Sequence, residues 1–124
     1  MISLSIFRNA EAMGYRAGSV IFATGDPGKA MYVVSEGEVD IQVGGNVVEC
    51  IRPGSIFGEM ALIDNSPRSA TAIAKTDCKV VPLDQRRFQF LVQETPFFAL
   101  QVMTIMANRL RHANARMAKA ESKA

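Results

Sequence analysis

The chain has 124 residues, of which 48% are hydrophobic, and its 14 basic and 12 acidic side chains leave a formal net charge of +2. That length bounds it to one domain with a sizeable core, and so weak a charge argues against a nucleic-acid binder built on a concentrated basic patch. No apolar run approaches the ~18 residues of a membrane span, and Met1 to Phe7 lack the basic head and apolar stretch of a signal peptide, which places the chain in the cytoplasm.

The first fifteen residues carry apolar side chains at Leu4, Ile6, Phe7, Ala10 and Met13. The spacing is partly helical and predicts a short N-terminal helix that ends before Gly18. Then the period changes to two. Ser19 to Ala23 and Met31 to Val34 read as strands, separated by the turn Gly25-Asp26-Pro27-Gly28. In the stretch 38–43, Val39, Ile41 and Val43 face one way while Glu38, Asp40 and Gln42 face the other, as in a half-buried strand. Gly44-Gly45-Asn46 closes a hairpin onto Val47 to Ile51. Ser69 to Lys75 and Lys79 to Leu83 complete the strands. Short strands joined by Gly-rich turns indicate a β-sandwich or a jelly-roll barrel. The two cysteines, Cys50 and Cys78, fall in strand-like segments without a C-x-x-C pair, and read as buried thiols rather than a redox or metal site.

From Asp84 the period is helical. Asp84 suits an N-cap, and Phe88, Leu91 and Val92 form an apolar stripe. Thr95-Pro96 starts a second helix, because proline suits the first helical position; it extends to about Ala118. Along it Leu100, Met103, Ala107, Leu110, Asn114 and Met117 recur at alternating intervals of three and four. That is a coiled-coil seam, which predicts a homodimer through this face, with Asn114 fixing register in a parallel pairing. His112 reads as an ordinary helix residue. The cations Arg109, Arg111, Arg116, Lys119 and Lys123 gather toward the helix C-terminus, where they favour the helix dipole.

The stretch from Pro53 to Thr71 carries the chemistry. Gly58 lets a ligand approach the backbone, and the residues after it, Glu59 to Ile63, are good helix formers whose first amides suit an anion. Asp64-Asn65-Ser66-Pro67 turns the chain so that Arg68 returns to the same spot, where a guanidinium grips a phosphate through two parallel hydrogen bonds. Glu59, repelled by a phosphate, suits a neighbouring hydroxyl. Together these groups fit a phosphate joined to a sugar. On spacing alone, a plain Glu59–Arg68 ion pair with a turn-forming glycine is equally open.

This stretch resembles the phosphate-binding cassette of the cyclic-nucleotide-binding domain family, the family of catabolite activators, protein kinase A regulatory subunits and cyclic-nucleotide-gated channels. Phe57-Gly58-Glu59, the run Met60-Ala61-Leu62, Pro67-Arg68, and Ser69-Ala70-Thr71 each have their counterpart in the family pattern, as do Tyr32-Val33-Val34 and Gly37-Glu38-Val39 upstream. The resemblance implies a mainly β fold, a jelly-roll β-roll with a short N-terminal helix and two C-terminal helices. It implies that Gly58 and the amides of Met60 and Ala61 line the phosphate and ribose, that Glu59 binds the ribose 2′-OH, and that Arg68 and Ser69 hold the cyclic phosphate. From the long helix it implies a lid over the base, with Arg109, Leu110, Ala113 and Asn114 as candidates. Ala113 and Asn114 stand where the catabolite activators carry two hydroxyl residues, so their mode of adenine recognition is not carried over.

The expected ligand is cyclic AMP, with cyclic GMP left open by Ser69, and no other cofactor. The expected role is a regulatory receptor that signals through its long helix to an effector protein, without enzymatic activity, a membrane partner or direct DNA contact. A sensor fragment of a cyclic-AMP-responsive transcription regulator and a ligand-free dimerisation module are the rival readings. A phosphodiesterase is disfavoured because one histidine is too few for a hydrolytic metal cluster.

Overall fold

The six stretches read as strands and two further short ones, β1 and β6, form eight antiparallel strands in two sheets of four, as seen in a computed structural model that describes residues 1–7 and 12–122. The first sheet has the order β1-β8-β3-β6, with β1 at Met13–Tyr15, β3 at Ala30–Glu36, β6 at Ile56–Phe57 and β8 at Cys78–Asp84. The second has the order β2-β7-β4-β5, with β2 at Val20–Phe22, β4 at Val39–Val43, β5 at Asn46–Ile51 and β7 at Thr71–Ala74. Among the described residues three α-helices complete the fold: α1 (Met60–Asp64), α2 (Gln85–Glu94) and α3 (Pro96–Ser122). This is the expected mainly β roll with helices at its flank.

Among the described residues, the expected N-terminal helix is represented by one 3-10 turn, Leu4–Phe7. Met13 belongs instead to β1, where it pairs with Val80 of β8. The free edge of β8 wins this segment, because the three backbone partners it offers outweigh a marginal helical pattern. Ala10 lies outside the described residues. β6 was not foreseen, since two residues carry no readable period; it is defined by Tyr32 and Val33 of β3 pairing with Phe57 and Ile56.

The first sheet is covered on both faces. Met31, Val33, Ile56, Val81 and Leu83 pack toward the helices with Phe98, Val102 and Ile105 of α3. On the other face, Val34, Phe57, Cys78 and Val80 join Val39, Ile51, Ala72 and Ala74 of the second sheet. That is why β3 and β8 read as nearly continuous apolar runs while β4 alternates. Asp84 caps α2 as expected, its Oδ1 accepting from the Arg87 amide at 2.8 Å. Thr95 closes α2 through its own N–H, which donates to the Leu91 carbonyl at 2.8 Å, and α3 begins at the next residue.

α3 presents two different faces. Phe98, Val102 and Ile105 point into the core. Leu100, Met103, Leu110 and Met117 of the expected seam are 55–63% exposed, and Ala107 and Asn114 are exposed as well. The seam is therefore not the face that packs on the β-roll. Both cysteines are free thiols: Cys78 is buried, whereas Cys50 is half-buried with its Sγ 3.5 Å from Glu38 Oε2. Among the described residues no single helix is long and apolar enough to cross a membrane, and no three His, Cys, Asp or Glu side chains cluster as metal ligands.

Candidate functional site

Gly58 leaves β6 with φ +74°, a conformation that favours glycine. A Cβ at this position would also lie 2.8 Å from Arg68 Nη1 and 3.3 Å from the Phe22 ring, so both space and backbone demand the glycine. α1 follows at once and ends at Asn65, which takes the left-handed conformation. The Ser66 amide donates to Asp64 Oδ1 at 3.0 Å, and hydrogen bonding from Ser66 holds the Asp64 carboxyl below its ordinary value. This turn brings the chain back to Arg68.

The Arg68 backbone is clamped by the turn that the sequence marked between β2 and β3. Its N–H donates to the Asp26 carbonyl and its carbonyl accepts from the Gly25 N–H, each at 2.8 Å. Its side chain runs inward, leaving the residue only 7% exposed. Nη1 donates to the Gly58 carbonyl at 3.0 Å and Nη2 to the Ala30 carbonyl at 2.7 Å. The guanidinium lies over the Phe22 ring, 4.1 Å from its centroid, with Tyr32 beyond at 5.8 Å. Gly28 leaves room on another side; a Cβ there would meet Ala61 Cβ at 2.7 Å and Arg68 Nε at 3.2 Å. The Nε of Arg68 has no hydrogen-bond partner. No carboxylate among the described residues pairs with this cation.

Glu59 is engaged elsewhere, so the plain Glu59–Arg68 pair left open by spacing is not formed. Glu59 Oε1 accepts from Arg109 Nη1 of α3 at 3.2 Å. Arg109 Nη2 donates to Ser55 Oγ at 3.1 Å and to the Ile56 carbonyl. Both partners are mostly withdrawn from water, with side chains 21% and 16% exposed, which gives the pair more weight than a surface ion pair.

Between these groups lies a cavity of about 450 Å³, the size of a small-molecule site. Gly58, Glu59, Met60, Ala61, Arg68, Ser69 and Arg109 all line it, so seven of the eight expected site residues converge. Asn114 does not join them. It is exposed on α3, about 140° around the helix from Arg109 at 100° per residue. Leu110 is also turned outward, whereas Ala113, one turn beyond Arg109, is half-buried. Sequence reasoning missed the aromatic bed of Phe22 and Tyr32, the space left by Gly28, and the opposite wall of Ile41, Val48, Glu49 and Ile51. The period-two pattern of β4 signalled part of that wall, by putting Ile41 on one face with Val39.

An arginine without a counter-charge, a glycine held for close approach and a neighbouring carboxylate, brought together around α1, lie within a stretch that a known family matches. Residues 13–95 match the family described as "Cyclic nucleotide-binding domain". The chain belongs to the cyclic nucleotide-binding domain family. It is 44% identical over 84 residues to a cAMP-dependent protein kinase regulatory subunit from Aspergillus niger, which takes in 66% of this chain and 20% of that protein. The catabolite activator protein of Thermus thermophilus superposes with a TM-score of 0.77 at 32% identity, over 90% of this chain and 55% of that one. A structure reported for a cyclic-GMP-dependent signalling pathway that regulates bacterial phytopathogenesis superposes at 0.66 with 29% identity, over 94% of this chain and 91% of that one. The chain thus spans a fifth of the kinase subunit and about half of the catabolite activator.

Proposed function

We propose that this chain is a cytoplasmic cyclic-nucleotide receptor that acts by regulation and not by catalysis. Its 124 residues work as one binding unit, a roll followed by two helices. The observation that carries the reading is Arg68: a buried guanidinium with two donors given to carbonyls, an unpartnered Nε, and no carboxylate partner among the described residues. A buried charge without a counter-charge is unfavourable until an anion supplies one. The equatorial oxygens of a cyclic phosphate meet that need through charge-assisted hydrogen bonds. Ser69 and the backbone around Gly58, Met60 and Ala61 close around the phosphate and sugar, and Glu59 accepts from the ribose 2′-OH.

The ribose would then share Glu59 with Arg109, which ties the ligand to α3. Occupancy changes the hold of α3 on β6, and an effector protein reads the helix. The energy available for that change is the ligand's differential affinity for the two positions of α3. A second copy of the chain packs along the exposed seam from Leu100 to Met117, whose three-four repeat is self-complementary across a two-fold axis. The name of the cAMP-dependent kinase regulatory subunit favours cyclic AMP; the cavity wall carries one observation that favours cyclic GMP.

Isothermal titration calorimetry with both nucleotides tests the reading. Saturable binding of at least one, lost in Arg68→Ala and weakened in Arg68→Lys while both variants keep a cooperative melt, is the expected result. Absence of heat and of a thermal shift with either nucleotide would overturn it in favour of a ligand-free dimerisation module.

A further inference from the structure

The cavity wall opposite Arg68 carries a carboxylate that none of these roles uses. In the β4–β5 ladder Val39 pairs with Ile51 and Ile41 with Glu49. Side chains two apart on a strand share a face. Glu49 therefore stands on the inward face with Ile51 and across from Ile41, next to the buried Val39. It is half-buried and lines the same cavity as Arg68. Among the described residues no hydrogen bond or ion pair engages it; the charged pair inside the cavity is Glu59–Arg109. A valine or isoleucine would continue the inward pattern there. Water alone solvates a half-buried carboxylate in an open cavity, so the two oxygens of Glu49 stay uncommitted to the protein and are free to meet donors on a ligand.

The cyclic-nucleotide reading, on which this step rests, says where the base goes. With the phosphate at Arg68 and the ribose at Glu59, the base extends toward Ile41, Val48, Glu49 and Ile51. An ionised carboxylate only accepts, and it has two oxygens side by side. Guanine presents N1–H and its 2-amino group side by side, two donors for two oxygens. Adenine presents one amino donor flanked by the ring nitrogens N1 and N7, so one carboxylate oxygen would face a lone pair. We infer that Glu49 is the base-reading residue of this cavity and makes it favour cyclic GMP over cyclic AMP.

The test is calorimetry with cyclic GMP, cyclic AMP and cyclic IMP on the full chain and on Glu49→Gln. Cyclic IMP keeps N1–H and lacks the 2-amino group. The wild-type chain should bind cyclic GMP on the order of tenfold more tightly than either of the others, the usual worth of a bidentate base contact. An amide can accept from adenine N6 and donate to its ring nitrogen, so Glu49→Gln should bind cyclic AMP about tenfold more tightly than wild type and erase most of the preference. A residue with a merely structural role would not improve binding of one ligand. Equal or tighter wild-type binding of cyclic AMP, or an unchanged ratio in Glu49→Gln, would overturn the assignment of Glu49 and leave the receptor reading intact. Failure of all three ligands to bind the wild-type chain would overturn both.

Discussion

Two arginines enter the same cavity and are held in opposite ways. Arg109 comes from α3 and meets a carboxylate, a hydroxyl and a carbonyl. Arg68 comes from the loop before β7 and meets two carbonyls and an aromatic face, with no opposite charge among the described residues. Carbonyl dipoles and a ring quadrupole orient a guanidinium without neutralising it. The difference separates their tasks. On the proposed reading the charge of Arg68 is left for a ligand, whereas that of Arg109 is paired with Glu59 and joins α3 to the roll.

Substitutions can break this comparison in order of effect. Arg68→Ala should lower cyclic-nucleotide affinity by about a hundredfold or more, since it removes several charge-assisted hydrogen bonds at a desolvated site; calorimetry reads it directly. A loss no greater than that of Arg109→Ala would mean the two cations are equivalent. Phe22→Leu keeps the apolar volume but removes the ring under the guanidinium. It should cost about tenfold in affinity, a stacking contribution of roughly 1 kcal/mol or a little more, while Phe22→Tyr restores binding. Arg109→Ala should act chiefly on the empty protein. Hydrogen exchange at the amides of residues 106–121 should speed up while those of β3 and β8 stay protected. Equal exchange in both forms would show that the Glu59 pair does not hold the helix. The smallest effect concerns the thiols. Burial pushes the Cys78 thiol up, and burial with a hydrogen bond to Glu38 does the same for Cys50. At about pH 8.5 both should alkylate more slowly than an unstructured cysteine, Cys78 the slower because it is buried.

What could be read from the chain, and what could not, follows from range. The cassette was legible because its groups lie within fifteen residues, from Phe57 to Thr71, close enough for a family pattern to be recognised where spacing alone left a Glu59–Arg68 ion pair open. The hairpin β4–β5 was legible because alternation and a Gly-Gly-Asn turn coincide. By contrast, the bed of Arg68 needs Phe22 and Ala30, and the latch of Arg109 needs Ser55 and Ile56, partners 38 to 54 positions away. No period encodes such distances. The N-terminal turn failed for a related reason: a marginal helical pattern around Met13 was overridden by a strand edge at Val80 that local sequence does not reveal. Helical phase and position in the sequence both point to Asn114 as a lid residue, yet with Ile105 in the core and Arg109 at the cavity the helix turns Asn114 to solvent.

Ile105 is also the last buried residue of α3, although Met106 next to it still packs on the core and Ala113 is half-buried further along the helix. Its 27 residues are buried through Phe98, Val102 and Ile105, and beyond that point Arg109 and Arg116 make the recorded side-chain ties to the roll, the latter donating to the Val48 carbonyl at 3.2 Å. At 1.5 Å per residue the segment past Ile105 is about 25 Å long. A lever of that length turns a tilt of about 10° at its root into about 4 Å at the tip, so on the proposed reading a shift of about 1 Å where Arg109 meets Glu59 would reach the far end of α3 as a displacement that another molecule can sense.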